Sequence, residues 1–186
     1  MATPVDSAEG VASGSPLLVH VSDAPRDAGT VELIARRPSV DEREVVGEAV
    51  LDVEEGLVGD NWRARGRSGG RRPPNPDAQI TVMSSRAIAL ATGERDRWPL
   101  AGDQLYVDLD LSGENLPPGT RLALGTAVIE VTAEPHTGCK KFRARFGTET
   151  LELFNSPEGR ALNLRGINTR VVESGVVRVG DVVRKL

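Results

Sequence analysis

The stretch Glu134-Pro135-His136-Thr137-Gly138-Cys139-Lys140-Lys141-Phe142 gathers the most reactive side chains of this sequence. It holds the only cysteine among 186 residues and one of only two histidines. Lys140 and Lys141 follow the sulfur directly, with Arg143 and Arg145 just beyond. A cationic neighbourhood favours thiolate over thiol, and thiolate is the form that attacks electrophiles and ligates soft metals. Pro135 and Gly138 mark a turn after the alternating segment 127–132, which reads as a strand. The sulfur is therefore expected on a loop at the end of a rigid strand, where reactive groups are commonly presented. A lone free cysteine can equally be a small buried hydrophobe, and both readings stand at this point. His136 is a weak partner for a nucleophile pair, because catalytic cysteines usually draw their histidine from a distant part of the chain.

A second concentration of charge lies upstream. Arg63, Arg65, Arg67, Arg71 and Arg72 fall within ten residues, threaded with Gly66, Gly69 and Gly70, in a protein whose net charge is −4. The planar guanidinium fork suits phosphate and carboxylate groups; the alternative is a solvated surface loop. Gly56-Leu57-Val58-Gly59-Asp60 comes just before, with glycines able to adopt positive φ and bring backbone close to a neighbour. Gly113-Glu114-Asn115-Leu116 forms a further turn carrying two polar side chains.

The elements that must position these groups are short and mostly extended. Alternating apolar residues predict strands at 17–21, 30–36, 45–53, 79–83, 105–111, 121–124 and 127–132. Ser84-Ser85 predicts a capped helix over 86–91 that Gly93 stops, and 140–146 and 149–154 read as short helices parted by Gly147. Residues 162–172 and 176–186, around Glu173-Ser174-Gly175, are expected to close the chain as a hairpin. Many short strands with few aromatics and 20 glycines point to a mainly β fold, a barrel with a few short helices. Residues 1–15 have the composition of a disordered tail, leaving 16–186 as one domain.

Composition narrows the function. The acidic balance argues against a general nucleic-acid binder. One cysteine cannot form an internal disulfide, and no apolar run is long enough to cross a bilayer, so a cytoplasmic protein with no membrane partner is expected. Dinucleotide and P-loop fingerprints, a zinc-type cysteine pair and a Gly-x-Ser-x-Gly elbow are missing from the sequence.

Taken in order, Gly56-Leu57-Val58-Gly59-Asp60, Gly113-Glu114-Asn115-Leu116, the strand running into Cys139, and Leu164-Arg165-Gly166-Ile167-Asn168 up to Gly180-Asp181 resemble the MOSC domain, named for the C-terminal part of molybdenum-cofactor sulfurases. The resemblance covers roughly residues 31–186. It implies a barrel fold and one of two activities: binding the molybdenum cofactor (molybdopterin) to reduce N-hydroxylated compounds, or carrying sulfur as a cysteine persulfide. The family's cysteine falls on Cys139, which becomes the candidate catalytic group and metal ligand. Its other motifs put Asp60, Glu114, Asn115 and Arg165 at the cofactor, with His136, Lys140, Lys141 and Arg143 beside the sulfur and Arg63, Arg65 and Arg67 available for the phosphate. Trp62 stands where members often have histidine. The chain is too short to include a pyridoxal-phosphate sulfurase module, the family's association with that cofactor, so a separate sulfur donor or reductase protein is expected as partner. The third reading is a non-catalytic small-molecule binding or redox-sensing module with an oxidisable cysteine.

Overall fold

The computed structural model describes residues 16–66 and 71–186; the expected tail 1–15 and Arg67 lie outside the described residues. Seven strands close a barrel: β1 (Ala28–Arg36), β5 (Ile80–Ser84), β6 (Leu105–Asp108), β7 (Arg121–Leu124), β8 (Ala127–Val131), β9 (Ile167–Glu173) and β11 (Val182–Lys185). Their order around the barrel is β1-β11-β7-β8-β9-β5-β6, with β6 returning to β1. All seams are antiparallel except β5 with β6. A parallel pair needs a crossover, which α3 (Ser85–Thr92) and a 3-10 helix (Arg95–Ala101) supply. Strand β2 (Glu44–Val46) extends β1, while β3 (Glu48–Asp52), β4 (Gly56–Leu57) and β10 (Gly175–Arg178) form a small second sheet. The mainly β barrel with a few short helices read from the sequence is the fold observed.

Alternation decides which side chains go inside. Ile80 and Val82 of β5 and Leu105 and Val107 of β6 join the barrel interior, whereas Met83 and Tyr106 point outward, as the two-residue period of a strand requires. A bulge between Val31 and Leu33 shifts that phase in β1, so Val31 and Ile34 face in while Leu33 and Ala35 face out. The outward residues are covered by α1 (Pro16–Ser22), α3, α4 (Lys140–Phe146) and α5 (Thr148–Asn155). Phe142 anchors this second core, its ring 4.7 Å from that of Phe146 and 5.3 Å from that of Phe154.

Three expectations are corrected. Residues 17–21 are helical, not a strand: Leu18 and Val21, three apart, are both buried on the outer core, and a five-residue apolar run does not distinguish the two periods. Residues 45–53 are two strands divided at Gly47. The C-terminal segments do not form a hairpin, because both edges of β9 are already taken by β5 and β8. Beyond Ser174, β10 pairs with β3 and β11 with β1 and β7. Ser84 caps α3, accepting from Ala87 N, and Gly93 stops it in the left-handed region, both as expected. Among the described residues no helix is long and apolar enough to cross a membrane.

Candidate functional site

Strand β8 delivers the cysteine segment to one end of the barrel. Asn168 of β9 fixes it there, its Nδ2 donating to the carbonyls of Glu134 (3.1 Å) and Pro135 (3.2 Å). Gly138 passes so close to α5 that a Cβ would lie 2.3 Å from Leu151 Cδ1. Cys139 then precedes the first turn of α4 and is exposed, which removes the buried-hydrophobe reading of the lone cysteine.

Beside the sulfur lies a cavity of about 380 Å³, within the range of ligand pockets. Its lining includes Arg37, Arg43, Arg65, Lys141, Arg145 and Arg165 against two carboxylates, Asp41 and Glu134. Two of the cations are buried and neutralised from behind. Arg37 donates from Nε and Nη2 to the Asp60 carboxylate at 2.8 and 2.9 Å and from Nη1 to Gly102 O. Arg165 donates from Nη1 to Asp103 at 2.6 Å and from Nη2 to Ala101 O, and its guanidinium lies 5.0 Å over the Phe142 ring. Arg43 and Arg65 have no carboxylate ion pair among the described residues. Burial pushes the pKa of both below the ordinary arginine value, with repulsion from Arg145 acting next on Arg43 and from Arg37 on Arg65. Arg65 still shows its outer face to solvent. Arginines remain cationic under any such shift, so the mouth of the cavity holds uncompensated positive charge.

Behind the mouth sits a buried titratable cluster. His136 Nε2 is 3.6 Å from Asp103 Oδ1, too far for a hydrogen bond. Burial, and then the Arg165 cation, hold the imidazole down at a pKa of about 4, with Asp103 opposing; His136 is neutral at neutral pH. Gly166, at φ 99°, lets β9 pass beneath the ring, where a Cβ would lie 3.3 Å from Nδ1 and 2.4 Å from Val82 O. His136 Nδ1, Asp103 Oδ1, Arg165 Nε and Asn61 Oδ1 are all buried without a hydrogen-bond partner. Buried polar atoms are normally satisfied, and His136, Arg165 and Asn61 border the cavity, so spare bonding capacity is concentrated around it.

Of the residues expected at the site, Cys139, His136, Arg65, Lys141 and Arg165 line the cavity. Asp60 does not; it lies behind, its carboxylate filled by Arg37 and the Trp62 amide, and so fixes Arg37. Arg63 pairs with Glu55 on the surface. Lys140 and Arg143 are exposed on α4 and do not line the cavity. Glu114 and Asn115 are elsewhere, beyond the far end of β6. Glu114 pairs with Arg26 in solvent, and the Asn115 amide is consumed by the carbonyls of Arg26 and Asp110 and by Lys185 Nζ. Sequence reasoning missed Arg37, Arg43 and Asp103 and gave Arg145 no site role. The signal for Arg37 and Arg43 was faint, arginines flanking the loop after an alternating strand.

The MOSC domain family matches residues 69–184. The chain belongs to that family. The MOSC family is associated with molybdenum-cofactor binding. The fold of this MOSC chain is similar to that of the YuaD protein from Bacillus subtilis, at 20% identity and TM-score 0.57 over 84% of this chain and 94% of that one. It is similar too to YiiM from Escherichia coli, at 20% identity and TM-score 0.53 over 84% and 69% of the two chains. YiiM from Geobacillus stearothermophilus follows at 15% identity and TM-score 0.51, covering 88% of this chain and 74% of that one. No curated protein matches this MOSC chain.

Proposed function

We propose that this chain binds the molybdenum cofactor in the basic cavity, with Cys139 as the protein's thiolate ligand, and reduces N-hydroxylated or related small molecules. The observation that carries the reading is an exposed thiol on the rim of a cavity whose mouth holds uncompensated guanidinium charge. The donor set fits the group. Arg43, Arg65 and Arg145 suit its phosphate, while Asn61 Oδ1 and Arg165 Nε, both unpartnered, suit the edge of a polar ring. Among the described residues no cluster of three or more His, Cys, Asp or Glu side chains gathers to hold a bare ion, so Cys139 would complete a metal shell brought in with the cofactor, thiolate being a soft ligand. When bound, the cofactor supplies the redox-active centre. The chain's own part is to bind the anionic end, to hold His136 neutral beside Asp103, and to keep the sulfur at the cavity rim. Electrons would come from a separate reductase protein, in the cytoplasm.

The exposure of Cys139 also supports a second reading, a sulfur carrier loaded by a separate donor protein. Metal analysis by mass spectrometry, with fluorescence of the oxidised pterin, tests both. Stoichiometric molybdenum and pterin, lost in Cys139→Ser with the melting temperature unchanged, are expected. A mass gain of one sulfur atom on Cys139 without metal would replace the enzyme by the carrier, and neither signal would leave a binding module.

A further inference from the structure

Cations and a carboxylate meet at the cavity mouth. Consecutive carbonyls at the end of the 3-10 helix fix two guanidinia: Pro99 O accepts from Arg43 Nε at 3.2 Å, and Leu100 O accepts from Arg145 Nη1 at 2.7 Å. Neither arginine needs a carboxylate to hold its place. Lys141, one helical turn before Arg145, adds a third cation to the same rim. The loop 37–43 between β1 and β2, which itself carries Arg43, supplies the opposing charge. Its Asp41 has a φ of 63°, a region that residues with a side chain seldom enter, although aspartate and asparagine tolerate it. That backbone turns the carboxylate to Lys141 Nζ at 3.0 Å and Arg145 Nη2 at 3.2 Å. Among the described residues it is the only carboxylate paired with either cation.

We infer that Arg43, Lys141 and Arg145 form a subsite for an acidic group of the ligand, phosphoryl or carboxylate, and that Asp41 occupies this subsite until the ligand displaces it. Asp41 is 60% exposed and Lys141 62%, and exposed ion pairs of this kind are weak, so the carboxylate exchanges readily. A phosphoryl group offers more acceptor oxygens than one carboxylate and can engage guanidinia bidentately, so it wins the exchange. Asp41 thereby raises the threshold for binding: ligands without an acid group cannot take its place. The subsite belongs to the cavity of the proposed function and rests on that reading only in taking the cavity as a ligand site; it requires no metal.

The test uses metal-free protein, inorganic phosphate as probe and Cys139 on the same cavity as reporter. Alkylation of Cys139 is followed with anionic iodoacetate and neutral iodoacetamide, and phosphate is titrated as a protectant. Asp41→Asn removes the charge while keeping a residue that accepts positive φ. It is expected to tighten phosphate protection roughly threefold, the scale of freeing an exposed pair, and to raise the iodoacetate-to-iodoacetamide rate ratio. Lys141→Gln, at an exposed helix position, should lower both. Glu48→Gln, whose carboxylate pairs with Arg178 on the small sheet, makes the same change in net charge and should alter neither. Unchanged protection in Asp41→Asn would overturn the inference, as would an equal gain in Glu48→Gln. On protein purified with bound molybdopterin, persistence of the Asp41→Asn gain assigns the subsite to a substrate's acid, and its disappearance to the cofactor's own phosphate. A gain in protein that never acquires molybdenum would leave the subsite standing and refute only the cofactor reading.

Discussion

Two buried polar clusters flank β6 at its opposite ends, and they differ in how completely they are satisfied. After the strand, Asn115 uses both amide protons on the carbonyls of Arg26 and Asp110 and its oxygen on Lys185 Nζ. That cluster is closed, and it ties three distant segments of the chain together. Before the strand, Asp103, Arg165 and His136 share a single hydrogen-bonded ion pair and leave three buried atoms without partners. That cluster is open, and it borders the cavity. Burial alone does not separate the two, since Asn115 and Arg165 are 4% and 7% exposed. Satisfaction does: a filled amide holds the fold together, while spare capacity beside a cavity is available to a ligand.

The strongest way to break this contrast is Arg165→Met. It strands the Asp103 carboxylate, whose side chain is fully buried, and leaving one member of a buried pair costs about 3–5 kcal/mol. Urea unfolding measures it. Adding Asp103→Leu should recover most of that loss, while loading of the molybdenum cofactor stays weakened. A single mutant as stable as the parent would mean that the open cluster carries no ionic burden. Asn115→Ala is the converse probe. It empties the closed cluster and should cost about 2–3 kcal/mol, through carbonyls and an ammonium left short of partners. The alkylation rate of Cys139 should not change. A slowed rate would place Asn115 in the cavity's machinery after all.

How far the sequence reaches can be read from the same two places. The cysteine segment was legible because its neighbours in sequence are its neighbours in space: Pro135, His136, Lys141 and the strand before them all stay local. The barrel was legible through alternation, which each strand carries by itself. The remaining cavity walls were not. Arg37 and Arg43 line one cavity with Arg145 only because the loop after β1 and helix α4 are both brought against the end of the 3-10 helix, and no local pattern records a contact such as that of Arg145 with Asp41, about one hundred residues apart. Asp103 lies in a short connection with no periodicity at all. Asn115 misled in the opposite sense: a polar pair on a glycine turn resembles a binding loop until the partners that consume it are known. The C-terminal strands failed for the same reason as the cavity walls, since their pairing was decided by edges already filled elsewhere.

The finest probe of the open cluster is proton linkage at His136. An unfolded imidazole titrates near ~6.5, whereas the folded group is held at about 4 by burial and by the Arg165 cation. Between those values the unfolded chain binds more protons than the folded one, so stability rises with pH. The contribution is complete above about pH 6.5 and is lost as pH falls toward 4. By about pH 5 the loss amounts to roughly 2 kcal/mol. Carboxylates elsewhere titrate in part of this range, but His136→Gln keeps them and removes the imidazole, so the difference between parent and variant isolates the histidine. The groups facing it are Asp103, Arg165 and Arg37, and none of them is altered by the substitution. The expected outcome is a variant whose stability falls less steeply than the parent's between about pH 7 and pH 5. Phosphate bound at the cavity mouth would partly offset the cations facing His136, so it should narrow that difference. Parallel slopes would mean that His136 reaches water and finds its partners there, and the distinction between the closed and open clusters would fail at its most sensitive point.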